Sequence, residues 1–113
     1  MPMDNEQIKS RVFLKEMYAD GYFPKHLVDK AKQLLLALCE QIEVREPEDE
    51  DALYVLTHAA TDEFNELAGE FEDAGSEIET VARECIGDDF DFIARAYGFG
   101  DVDTEELIAT RDW

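Results

Sequence analysis

Between Leu53 and Phe71 the residues Leu53, Leu56, Ala60, Phe64, Leu67 and Phe71 recur in steps of three and four. That spacing draws one apolar stripe along a helix of period 3.6. A stripe of five turns needs partners, so the rest of the chain has to supply other helices to cover it. The stretch from Pro47 to Tyr97 reads as two long helices joined at Ala74-Gly75-Ser76, with carboxylates crowding the faces away from the stripe. An acidic helical surface is therefore what this part of the chain offers to solvent.

The flanking segments follow the same logic. A first helix is expected from Asn5 to Ala19, with Ile8, Val12, Phe13, Met17 and Tyr18 as its apolar face and Asp20-Gly21 as its stop. Pro24 suits the first turn of a second helix, because its missing N–H would have no partner there anyway. That helix should run to about Arg45 with Leu27, Ala31, Leu34, Leu38 and Ile42 in one line, and Glu46-Pro47 ends it. Glu48-Asp49-Glu50-Asp51 then sits at the positive end of the third helix dipole, a sufficient structural reason for four consecutive acids.

Gly75 is the expected stop of the third helix, and Ser76-Glu77-Ile78-Glu79 has the pattern of a capping box for the fourth. On the fourth helix Ile78, Val81, Ala82, Cys85, Phe92, Ile93 and Ala96 make the apolar face, interrupted by Gly87-Asp88-Asp89. A continuous helix would centre Asp89 on that face, placing a carboxylate in the core unless it is paired or hydrogen-bonded. The pattern favours a kink at Gly87, with Asp88 or Asp89 capping a second segment. Asp103-Thr104-Glu105-Glu106 starts a short last helix, and Trp113 reads as a plug that docks the tail. The expectation is one all-α domain over residues 1–113, an up-and-down bundle of four main helices plus a short C-terminal one.

Charge narrows the function. The formal net charge is −19, and it is uneven: residues 1–46 hold seven Lys or Arg against eight Asp or Glu, while residues 47–113 hold three against twenty-one. Phosphate neutralisation supplies most non-specific nucleic-acid affinity, so this field argues against DNA, RNA and anionic membranes and points to basic proteins or cations. No secretory leader is read at Met1-Pro2-Met3-Asp4, and the longest apolar run, Leu34 to Cys39, is far short of the roughly 20 residues that span a bilayer. A cytoplasmic location is expected, with Cys39 and Cys85 reduced and acting as small apolar residues.

Few residues carry a chemical signal. His58 and Asp62 lie one turn apart, on the side of the third helix opposite its stripe, where surface electrostatics is the simplest role; His26 has no partner. A di-iron site needs Glu-x-x-His motifs, but Phe23 and Val55 stand three residues before the two histidines. A calcium loop starting at Asp101 fails at Glu106, where glycine is needed, and at Asp112 in its last position.

Asp62-Glu63-Phe64-Asn65-Glu66, followed by Glu84 and Asp88, resembles the paired acidic motifs of the all-α nucleoside triphosphate pyrophosphatases. The resemblance implies Mg²⁺ held by Glu63, Glu66, Glu84 and Asp88. The chain departs from that pattern: Asp62 replaces the usual first Glu, Glu84 and Asp88 are four residues apart rather than three, and cations for a triphosphate are scarce.

Phe13-Leu14-Lys15-Glu16-Met17-Tyr18, Tyr54 to Thr61, Glu77 to Cys85 and the ending Ala109-Thr110-Arg111-Asp112-Trp113 resemble a bacterial family of small acidic proteins catalogued only as a domain of unknown function. That resemblance covers nearly the whole chain and implies no site residues. The function expected from the residues themselves is a non-enzymatic protein-binding module that turns an acidic helical face to a basic partner. A toxin-neutralising immunity protein would be one concrete version by analogy. The alternative is the Mg²⁺-dependent pyrophosphatase-like enzyme.

Overall fold

The computed structural model describes residues 5–113. Six helical segments follow in order: α1 (Glu6–Ser10), α2 (Lys15–Ala19), α3 (Lys25–Arg45), α4 (Glu50–Asp73), α5 (Thr80–Ala96) and α6 (Thr104–Leu107). Among the described residues there is no strand, and no helix is long and apolar enough to cross a membrane. The buried apolar side chains form one cluster drawn from every helix, and the Cα radius of gyration is 13.4 Å. The all-α bundle is the expected architecture.

The long hairpin of α3 and α4 is its backbone. The two helices run antiparallel, tied at one end by the Lys30–Glu70 ion pair at 2.5 Å and at the other by the short Glu46–Asp49 connection. Asp49 caps α4, its Oδ1 accepting the Ala52 N–H at 2.8 Å, so the helix begins just inside the acidic run. At the other end Gly75 takes φ 83° and Ser76 N–H reaches back to the Phe71 carbonyl at 2.8 Å, which satisfies carbonyls the helix would otherwise strand. One face of the hairpin carries the expected stripe into the core, where Phe64 meets Phe90 of α5 at 5.8 Å and Phe71 meets Phe23 at 6.2 Å, both edge to face.

Three local expectations are corrected. The first helix is not continuous: Arg11 is extended, Leu14 is left-handed at φ 57°, and the chain breaks into α1 and α2. The break swings Phe13 and Leu14 inward and leaves Val12 67% exposed, although a single helix would have buried it. Gly21 does not take the left-handed stop; the Asp20 carboxylate instead accepts the Tyr22 N–H at 2.9 Å. The Ser76–Glu79 capping box does not form either. The Ser76 hydroxyl is buried without a partner, and the Glu79 carboxylate faces that of Glu77, which raises the Glu77 pKa.

The fourth correction concerns Gly87. The favoured kink is absent, and α5 runs unbroken from Thr80 to Ala96. α5 packs against α6 at Gly87, where a Cβ would sit at ordinary contact distance, 3.4 Å from Thr104 Cγ2 and 3.7 Å from Ile108 Cδ1. Continuity puts Asp89 in the core at 2% exposure, and the break between α1 and α2 supplies its partners. Arg11 reaches one carboxylate oxygen with Nη2 at 2.9 Å and Nε at 3.2 Å, and the Leu14 N–H donates to the other at 2.8 Å. The guanidinium also lies 4.4 Å from the centre of the Phe92 ring.

Candidate functional site

The inner face of the α3–α4 hairpin is covered by α2, α5 and α6, and its outer face is not. There Leu34, Ala37 and Leu38 of α3 and Ala52, Leu56 and Ala60 of α4 line an open groove of about 760 Å³. The groove exists because of side-chain size. Alanines on both helices leave a furrow where leucines would have closed it, and Val55 beside it is 69% exposed. An apolar furrow rimmed by polar groups is the kind of surface that marks a contact site on a soluble protein.

Its two ends differ in charge. At the C-terminal end of α3 the wall is Pro47, Gln41 and Arg45, with Arg45 Nε held by Gln41 at 2.9 Å. Towards the other end the groove continues past Leu34 and Glu63 into a second recess of about 420 Å³, bounded by Glu66, Glu70, Gln33 and Lys30. Lys30 is already engaged by Glu70. Glu63 and Glu66 are exposed and lie together along this recess. The floor is thus apolar for about two turns along α4 and then acidic.

The other Mg²⁺ candidates lie elsewhere. Glu84 and Asp88 are exposed on α5, whereas Glu63 and Glu66 are on the α4 flank that packs with α3. Among the described residues no three of His, Cys, Asp and Glu gather as a set of metal donors.

Residues 7–113 match the family of unknown function DUF5713. The chain belongs to that family. No curated protein and no solved structure matches it. As a DUF5713 member it brings no site residues with its family, so the chemistry of the remaining candidates rests on their surroundings.

His58 is not a free surface group. Its Nε2 lies 2.6 Å from the Glu106 carbonyl, which fixes the proton on that nitrogen as donor, and its ring stacks on Tyr54 at 5.9 Å. Asp62, one turn on, is exposed. His58 belongs to a clamp that ties the C-terminal segment to α4. Asn65 Nδ2 donates to the Thr110 carbonyl at 3.0 Å, Asn65 Oδ1 accepts the Asp112 N–H at 2.9 Å, and Trp113 packs 6.2 Å from Phe64. The terminal Trp docks the tail, as its position suggested.

Both cysteines are free and buried. Burial pushes the Cys39 thiol up to about 12 and the Cys85 thiol to about 11, far from the range of a reactive thiolate. Burial also raises Tyr97, whose hydroxyl donates to Glu43. Among the described residues, Asp89 is the one charged residue of the core. Its burial lifts the carboxyl above the ordinary aspartate range, while Arg11 and the Leu14 N–H pull the other way. Sequence spacing could not name Arg11 as its partner, because the two are 78 positions apart. The only signal was the demand for one.

Proposed function

We propose that this chain is a non-enzymatic, single-domain protein-binding module of the bacterial cytoplasm whose docking face is the outer side of the α3–α4 hairpin. The observation that carries this reading is the open apolar groove of about 760 Å³ running into the Glu63–Glu66 recess. Apolar floor supplies affinity, and the −18 carried by residues 47–113 selects basic partners and speeds their approach. A small acidic inhibitor of a basic toxin would have this build.

The test is affinity capture at low and at physiological salt, with captured proteins sorted by net charge. The reading expects basic proteins to be enriched and their capture to weaken with salt, since exposed charges are screened beyond about 8 Å at physiological ionic strength. Recovery of near-neutral or acidic proteins alone, insensitive to salt, would count against it.

A further inference from the structure

We infer that the occupant of the α3–α4 groove is a single amphipathic helix of a basic partner protein, its apolar stripe lying between Pro47 and Leu34 and its Lys or Arg residues over Glu63 and Glu66. This rests on the protein-binding reading and specifies its partner. On α4 the apolar floor runs from Ala52 to Ala60, about 12 Å at about 1.5 Å per residue, which is the length of a little over two helical turns. Helices recognised in grooves present anchors at i, i+3 or i+4 and i+7, and two turns hold such a set.

Charge then sets the polarity of the complex. The recess beyond Leu34 holds Glu63, Glu66 and Glu70, and its one cation, Lys30, is taken by Glu70 at 2.5 Å. A helix lying along the floor arrives over Glu63 and Glu66 with its next turn, where basic side chains find carboxylates and acidic ones meet repulsion. A second copy of this chain fits badly. Each copy carries −19, and the apolar section has Arg45 as its one cation.

The test is fluorescence anisotropy with three labelled synthetic peptides: a helical Leu/Lys peptide with a two-turn leucine stripe and lysines at one end, its scrambled form of the same composition, and a Leu/Glu counterpart. Ala37 and Ala59 both line the groove and are exposed, so Ala37→Glu/Ala59→Glu is expected to fold, checked by its circular dichroism melt. Glu63→Lys/Glu66→Lys reverses the recess, and Glu72→Lys/Asp73→Lys makes the same charge change at exposed positions outside it.

The inference expects the striped basic peptide to bind at least about tenfold more tightly than its scramble. It expects the groove and recess variants each to weaken that binding about tenfold or more, with Glu72→Lys/Asp73→Lys well below that. Equal binding of scramble and stripe, or equal loss from both charge reversals with none from Ala37→Glu/Ala59→Glu, would overturn the groove helix while leaving a binding module of diffuse acidic surface standing. Absence of binding by the striped peptide overturns it too. So would sedimentation as a dimer that Ala37→Glu/Ala59→Glu dissociates, because a second copy would then cover the groove.

Discussion

Arg11 and Asp89 meet at 2.9 Å across 78 positions of sequence, and the meeting fixes how the N-terminal segment lies on α5. The carboxylate is 2% exposed, the guanidinium about one-third, so the pair sits at the edge of the core with its anion on the inside. The second carboxylate oxygen holds the N–H of left-handed Leu14. One buried acid therefore pins both the α1–α2 break and the entry of Phe13 and Leu14 into the core. Arg11→Ala strands the buried carboxylate and should lower the unfolding free energy by about 3–5 kcal/mol in urea melts. A loss below about 1 kcal/mol would mean the pair is a surface contact.

The same group sets a pH dependence. Burial raises the folded Asp89 pKa above the ordinary aspartate value, so the folded chain holds this proton more tightly than the unfolded chain does. Its contribution is complete below the unfolded value and is lost as pH rises through the folded one. Asp89→Asn cannot titrate. The stability of the natural chain relative to Asp89→Asn should therefore fall as pH rises through the acid range, as read by urea melts at a series of pH values. In Arg11→Ala, which lacks the cation that pulls the carboxyl down, the fall should move to higher pH. A relative stability that climbs over that range would contradict the assignment.

Gly87 offers a test of helix continuity. Because α5 is unbroken and a Cβ there would meet its nearest neighbours at ordinary contact distance, Gly87→Ala should stabilise by about 0.5–1 kcal/mol or be neutral. A kinked α5 with a glycine-only backbone at this position would instead lose more than about 1 kcal/mol in the thermal melt. Gly87→Leu should destabilise by about 1–3 kcal/mol, since the larger side chain pushes α6 away.

The C-terminal clamp predicts a fluorescence change. Asn65→Ala removes two hydrogen bonds to the tail and should cost about 1–3 kcal/mol. Trp113 is the one tryptophan of the chain, so its emission should shift to the red as the indole leaves Phe64. An unchanged spectrum would show that packing alone holds the tail.

Helices α3 and α4 were legible in the sequence because each signal came from neighbours along the chain: the three-four spacing, Pro24 and Pro47, and Gly75. What was not legible depends on distant residues. The break at Leu14 places a positive φ on a leucine, a choice against local preference that the Asp89 carboxylate and the burial of Leu14 offset. Gly87 looks like a helix breaker, yet α5 runs through it unbroken, held by its packing on α6. Ser76-x-x-Glu79 has the letters of a capping box, yet the turn after Gly75 buries Ser76 before α5 begins. The groove was hidden for a related reason. Leu34, Leu56 and Ala60 belong to the apolar stripes, and only the packed bundle leaves part of them uncovered.

The most direct measurement of the docking face places a benzophenone side chain at exposed Ala59 inside the groove and, separately, at exposed Asp73 outside it, with photo-crosslinking in cells and mapping of the joined peptides. The account predicts a heterologous adduct from position 59 alone, to a basic protein, with the joined segment an amphipathic helix bearing Lys or Arg next to its apolar stripe. Adducts of equal yield from both positions, an adduct to an acidic segment, or an adduct to a second copy of the chain would contradict it.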